Sequence, residues 1–445
     1  MARAMALLFC FTCSASRHSL APAVAARPVM RSASSQMIFG RPPPAPPAPP
    51  PTTPATEIVQ RDLVGYASLL ALGVVPAVDW GPDAVNPARL AYFSLVAVGT
   101  LYLGVQRQDI GEASPIDGKS AALAPVFASV TLGGLYLVIK YTGLNPGGLY
   151  QFFACLFALL AASDLLQPIA GLGLAGALLD DPAEQPYDEK READIMNSGA
   201  APAFAIAIAV VIGYAQGPVS TGGTLALPVF AALNNLLGWS ISMVSLGVLA
   251  LDSFVAAASL LGGLFVYDAF FVFKSDVMVT VATQIEAPAK FLFAAVREAG
   301  DTRYPFSVLG LGDVVVPGAF VSLLRQVDVD GLEADTSGVK PSARSSATKR
   351  GSEVDFVYFY AGVGAYAAGL AATFVANYVT KAGQPALVYI VPSLLLTAVA
   401  TAASRGELPQ LLAYKSKRAE AAKVKRDDMK AEWKAKKAKE QADTK

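Results

Sequence analysis

Asp268 and Asp313 are the two side chains of this sequence whose type and setting could do chemistry. Each is the one charged residue of an apolar run, Asp268 within 254–273 and Asp313 within 306–324. Both runs are long enough to cross a lipid bilayer, where a carboxylate costs about 2.5–3.5 kcal/mol on insertion scales. That cost is tolerable where two acids face each other or a wet cavity. Like charges a few ångströms apart cannot both ionise, so one carboxyl keeps its proton while the other stays a base. Such a pair can activate a water and polarise a carbonyl. A lone membrane aspartate can instead be a structural hydrogen-bonder or a station on an ion path, so the pairing carries the reading.

Two apolar helices must position these acids, and the rest of the chain is built in the same way. Of 445 residues, 54% are hydrophobic and 16% charged, with a mean hydropathy of +0.45. That is too apolar for a soluble globular protein and points to many membrane crossings. The formal net charge of zero says little, because the charges are segregated along the chain. Cys10, Cys13 and Cys155 give no disulfide framework. The one histidine, His18, excludes an HExxH zinc site and a serine–histidine membrane hydrolase.

Clear spans are 121–139, 149–166, 201–214, 225–246, 254–273, 306–324, 356–379 and 385–403. Two shorter segments, 64–78 and 90–105, add one or two more. The fold class is an all-α polytopic helical membrane protein with about nine transmembrane helices. The chain divides into a targeting presequence or disordered stretch (1–40), a Pro-rich linker (41–56), N-terminal transmembrane helices (57–250), helices carrying the candidate site (251–404) and a charged tail (405–445). No Asp or Glu occurs in 1–56, while Arg3, Arg17, Arg27, Arg31 and Arg41 recur among Ser and Ala. Residues 4–11 look like the apolar core of a secretory signal. The Arg- and Ser-rich continuation to Gln36 has the composition of an organellar transit peptide, and both readings stay open.

Loop charge sets the orientation. The loop 326–355 carries Lys340, Arg344, Lys349 and Arg350, and beyond Tyr414 twelve Lys or Arg stand against six Asp or Glu. The loop between the aspartate spans, 274–305, balances its four basic residues with Asp276, Glu286, Glu298 and Asp301. Positive charge favours a cytosolic C-terminus, and nine spans then put the N-terminus in the lumen.

Three motifs carry a family resemblance. Gly263-Leu264-Phe265-Val266-Tyr267-Asp268-Ala269-Phe270-Phe271 holds a YD pair, Gly310-Leu311-Gly312-Asp313 a GxGD, and Gln384-Pro385-Ala386-Leu387 a PAL. With Glu286-Ala287-Pro288-Ala289-Lys290 and Asn234-Asn235-Leu236-Leu237-Gly238, they resemble the signal peptide peptidase family of intramembrane aspartyl proteases, relatives of presenilin. All three lie in that family's order in the last three-fifths of the chain. The resemblance implies a presenilin-like fold of nine spans and a site that cuts transmembrane segments within the bilayer. Its substrates would be leftover signal peptides and type II membrane anchors.

Carried over by position, Asp268 and Asp313 are the catalytic pair, with Tyr267, Gly310, Leu311 and Gly312 in support. Gln384, Pro385, Ala386 and Leu387 form the element beside them. The partners implied are helical transmembrane peptides and the lipid bilayer, in a monomer or homo-oligomer. No cofactor, metal or nucleic acid is expected. The compartment would be the endoplasmic reticulum or another endomembrane, with a plastid membrane as the alternative.

Beside the resemblance, the residues support physical readings of their own. Gly310 and Gly312 remove side chains before Asp313 and allow a close backbone approach. Pro385 has no N–H and disfavours a helical Gln384, leaving irregular backbone that could bond an unwound substrate. Tyr267 is expected beside the dyad, Asn234 and Asn235 as interhelical hydrogen-bonders, and Asp164, Asp252 and Asp355 as residues at span edges. Beyond Tyr414 a solvated, partly helical tail is expected. The alternatives are a signal peptide peptidase-like paralogue of another compartment and an ion- or proton-coupled transporter. No inverted repeat of the aspartate motif supports the transporter.

Overall fold

The computed structural model describes residues 81–107, 114–142, 147–178, 189–217, 224–274, 287–294, 306–332, 355–380 and 384–443. The segment 64–78, the presequence, the Pro-rich linker and the basic stretch at 333–354 lie outside these residues.

The order is α1 (Gly81–Gln106), β1 (Ser114–Ile116), α2 (Gly118–Thr142), α3 (Gly147–Leu178), α4 (Glu189–Ala215), α5 (Leu227–Val248), β2 (Leu249–Leu251) and α6 (Phe254–Lys274). Then follow β3 (Lys290–Ala294), β4 (Phe306–Gly310), α7 (Gly312–Asp330), α8 (Val357–Thr380), α9 (Leu387–Arg405), α10 (Leu408–Ala413) and α11 (Lys417–Asp443). Seven of these helices, α1, α3, α4, α5, α6, α8 and α9, are long and apolar enough to cross a membrane. Long apolar sequence forms helix there because only internal hydrogen bonds can satisfy the backbone in lipid. The outer surface is correspondingly greasy, with Val130, Phe152, Ile212, Val266 and Leu396 exposed.

α7 is the centre of the bundle and touches α1, α5, α6, α8 and α9. Its neighbours shield it from lipid, burying Val314, Ala319–Leu324 and Val327. That shielding lets it carry Asp313, Arg325, Asp328 and Asp330 in 19 residues, too many charges for a lipid-facing helix. α3 and α4 pack closely on one another beside α5, and α2 lies along α6. Gly331 and Gly406, with φ of 67° and 69°, end α7 and α9 in conformations that glycine adopts readily.

Two expectations are corrected. The run 306–324 is not one continuous crossing helix. Its first five residues are strand β4, paired antiparallel with β3 in the register Lys290↔Gly310 to Ala294↔Phe306, and the helix begins only at Gly312. An apolar run of this length has no sequence signal separating strand from helix; here β3 supplies the partner that makes it a strand. The tail beyond Tyr414 is not simply solvated. Tyr414, Ser416 and Ala419 are buried, and the segment clasps the end of the bundle opposite β3 and β4. Ser416 N donates to Asp252 O at 2.9 Å, Ser416 Oγ donates to Gln326 Oε1, Tyr414 Oη donates to Asp330 Oδ2 at 2.8 Å, and Arg418 Nη2 donates to Gly247 O at 2.7 Å. Asp252 is therefore more than an edge residue. Its Oδ2 also accepts from Gly118 N at 3.1 Å, beside the parallel pair β1–β2. At the same end Asp328 caps α8, taking Tyr358 N at 3.1 Å and Phe359 N at 2.8 Å.

Candidate active site

The three motifs meet where α6, α7 and α9 come together. Asp268 is buried, 3% exposed, six residues before the end of α6. Its Oδ2 accepts a hydrogen bond of 3.1 Å from Leu387 N. That N–H is available because Leu387 is the first residue of α9, and the first N–H groups of a helix have no partner within it. The helix begins there because Pro385 precedes it and Gln384 is fastened outside it, with Gln384 N donating to Asn377 Oδ1 at 2.6 Å. The positive end of α9 thus points at a carboxylate, a favourable placement for negative charge.

α9 can come this close because α8 carries Gly369. A Cβ there would sit 2.7 Å from Ile390 Cα. Thr373 Oγ1, one turn further along α8, lies 3.5 Å from Ala386 O and 2.9 Å from Gly369 O. Pro385, Ala386 and Leu387 are buried.

Asp313 stands in the first turn of α7, half-buried, where strand turns into helix. It interacts electrostatically with Asp268. No hydrogen bond to its carboxylate is found among the described residues. Leu311 pins the joint: its N–H donates to Ala289 O at 3.1 Å, its C=O accepts from Val315 N at 2.8 Å, and its side chain packs over Gly238 of α5. Gly310 makes room for the acid, since a Cβ there would lie 3.4 Å from Asp313 Oδ2. At Gly312 a Cβ would meet nothing within 4 Å. At neither glycine would a Cβ meet the backbone of another segment: at Gly310 it meets only the Asp313 carboxylate. The Tyr267 ring lies against Phe271 of its own helix, tilted by 49° with the centroids 4.8 Å apart.

Asn234 and Asn235 do more than join helices. Asn235 Oδ1 accepts from Leu292 N at 2.7 Å and its Nδ2 donates to Leu292 O at 2.8 Å and to Tyr92 Oη, so the side chain bonds β3 as a neighbouring strand would. Asn234 Nδ2 donates to Lys290 O at 2.6 Å. One edge of the hairpin is thereby occupied by amides of α5. Because Leu292 spends both backbone groups there, the alternation of an antiparallel pair turns those of its partner Val308 to the outer edge of β4. Val308 is 44% exposed, and its strand leads directly to Asp313. The hairpin and its amide support were missed in the sequence; two adjacent asparagines in an otherwise apolar span were the signal available. No group of three or more His, Cys, Asp or Glu among the described residues is placed to hold a metal ion.

The model of the signal peptide peptidase family matches residues 108–418. The chain is 30% identical over 357 residues to the signal peptide peptidase of Homo sapiens, covering 79% of this chain and 83% of that protein. It is 30% identical over 325 residues to a probable intramembrane protease of Schizosaccharomyces pombe, covering 72% and 92% respectively. With intramembrane protease 2 of Caenorhabditis elegans it shares 41% over 187 residues, or 42% of this chain and 38% of that one. The matched residues take in α6, α7 and the Leu387 turn of α9, and the chain belongs to the signal peptide peptidase family.

Proposed function

We propose that this protein is an intramembrane aspartyl endopeptidase that cuts leftover signal peptides and type II membrane anchors inside the bilayer. The observation that carries the reading is the hydrogen bond from Leu387 N to Asp268 Oδ2, together with the interaction of Asp268 with Asp313. It joins the YD, GxGD and PAL segments into one constellation. With one proton between them, the ionised carboxylate takes a proton from a water that attacks the scissile carbonyl. The protonated one polarises that carbonyl and then protonates the leaving amine. Catalysis belongs to the pair, and no microscopic assignment of the proton is made to either acid.

A helical substrate hides its carbonyls in its own hydrogen bonds, so it must be unwound to react. The outer edge of β4 supports this step, because an extended peptide laid there gains main-chain hydrogen bonds beside Asp313. In this reading α2 and α7 join the seven long apolar helices to make nine spans. The C-terminus is cytosolic and the N-terminus lumenal in an endomembrane.

The test is purified protein with a labelled signal-peptide substrate, with and without a transition-state mimic for aspartic proteases. Cleavage should be blocked by the mimic and absent in Asp268→Ala and Asp313→Ala. Cleavage that survives in both variants would falsify the reading.

A further inference from the structure

Arg89 lies near the start of α1, half-buried, and turns inward: its Nη1 donates to Ser307 Oγ at 2.9 Å. Ser307 is on β4, six residues before Asp313, on the face of the hairpin where Phe293 packs against Tyr92 and Phe93 of α1. No carboxylate among the described residues pairs with this guanidinium. Among the described residues Asp164 pairs with Arg107 and Glu407 with Arg405 instead. A half-buried cation without a counter-charge is unfavourable. An arginine with nothing to hold inside a membrane protein extends towards lipid phosphate, and this one does not. Its inward pose leaves several N–H donors for an anion.

Resting on the protease reading above, we infer that Arg89 receives the free C-terminal carboxylate of a peptide whose lumenal part has already been removed. A type II substrate runs from cytosol to lumen, whereas β4 runs towards Asp313 and into α7, whose far end is the cytosolic one. The substrate segment beyond the scissile bond therefore passes antiparallel to β4, towards Ser307. At about 3.3 Å per strand residue, Ser307 lies roughly 10 Å from Gly310. A carboxylate about four to six residues past the cut thus reaches the guanidinium, which can hold it with paired, charge-assisted hydrogen bonds. Arg89 is in this sense a specificity residue: it favours a peptide that ends near the site over a membrane anchor that continues into a lumenal domain.

The test uses the purified full-length protein in detergent and peptides with one transmembrane sequence. These end as free acids three to eight residues beyond the cut mapped by mass spectrometry. The same peptides as C-terminal amides, and an amide bearing Glu at the best position, complete the set. Wild type should prefer acid over amide by roughly tenfold in kcat/KM at the best length, chiefly through KM. Arg89→Gln should bring that ratio to about one, and Arg89→Lys should keep part of it.

An unchanged ratio in Arg89→Gln, or no preference in wild type at any length, overturns the inference. Equal preference for the Glu amide overturns the terminal carboxylate as the ligand. A ratio that collapses when anionic lipid is added assigns Arg89 to lipid phosphate instead. If Arg89→Gln does not accumulate, Arg89→Lys decides, and an undiminished ratio there counts against the inference. Wild type that cuts neither acid nor amide overturns the protease reading rather than the role of Arg89.

Discussion

Asp268 stands well inside a helix, 3% exposed, with the first N–H of a second helix aimed at its carboxylate. Asp313 stands where a strand becomes a helix, half-buried, with no hydrogen bond to its carboxylate among the described residues. The first acid is fixed by packing: Gly369 admits α9, α9 presents Leu387, and Leu387 holds the oxygen. The second is fixed through its backbone, by Leu311 bonded to Ala289 and by a hairpin bonded to Asn234 and Asn235. One acid is thus held by a hydrogen bond to its own carboxylate, the other only through the backbone that carries it.

The largest effects should come from the acids themselves. Asp268→Ala and Asp313→Ala should each remove cleavage, by at least about a thousandfold, since either loss leaves no acid–base pair. Their stabilities should differ. Asp268→Ala leaves Leu387 N–H buried without its acceptor, a cost of about 1–3 kcal/mol. Asp313→Ala removes a half-buried carboxyl that has no hydrogen bond among the described residues, so the folded protein should be as stable as wild type or more so. Thermal unfolding in detergent reads the difference. If Asp313→Ala is the less stable variant, the contrast between a held acid and a loose one is wrong.

Asn235→Ala comes next. It strips Leu292 N–H and C=O of their partners in a site 1% exposed, and Tyr92 Oη of a donor. The loss should be about 2–4 kcal/mol of stability, accompanied by slower cleavage per folded molecule as β3, β4 and the Leu311 joint loosen. A variant that melts earlier but cleaves at the wild-type rate would show that the hairpin supports the fold without positioning Asp313.

The sequence made one acid more legible than the other for the same physical reason. Around Asp268 the determinants are local: a long apolar span, a YD pair, and a proline that must interrupt a helix at Gln384. The helical class and the seven long apolar helices follow from such signals, while the place of the Pro385 segment beside the acids was implied by the family resemblance. Around Asp313 the determinants are distant. Phe306–Gly310 is a strand only because Lys290–Ala294 pairs with it and because Asn235, more than fifty residues earlier, holds that partner. Hydropathy reads 306–324 as one span because membrane helix and buried strand are equally apolar. The clasp of Tyr414–Ser416 on Asp330, Asp252 and Gln326 was hidden likewise, since a charge-rich tail reads as solvated until its contacts are known.

Pro385→Ala should have the smallest effect, and it tests how the tight side is built. Alanine restores an N–H and removes roughly 3 kcal/mol of helix-breaking preference. α9 can then extend by a turn, drawing Leu387 N–H into a helical bond and away from Asp268. Loss of that one charge-assisted hydrogen bond should slow cleavage about tenfold, mostly in kcat. Extension is opposed by Asn377, whose Oδ1 holds Gln384 N at 2.6 Å outside the helix. Asn377→Ala alone should therefore do little, because Pro385 still stops the helix. The double variant should lose more than the sum of the two, since only then is nothing left to end α9 at Leu387. Simple additivity would mean that Pro385 acts by shape against the substrate rather than by placing the N–H that holds Asp268.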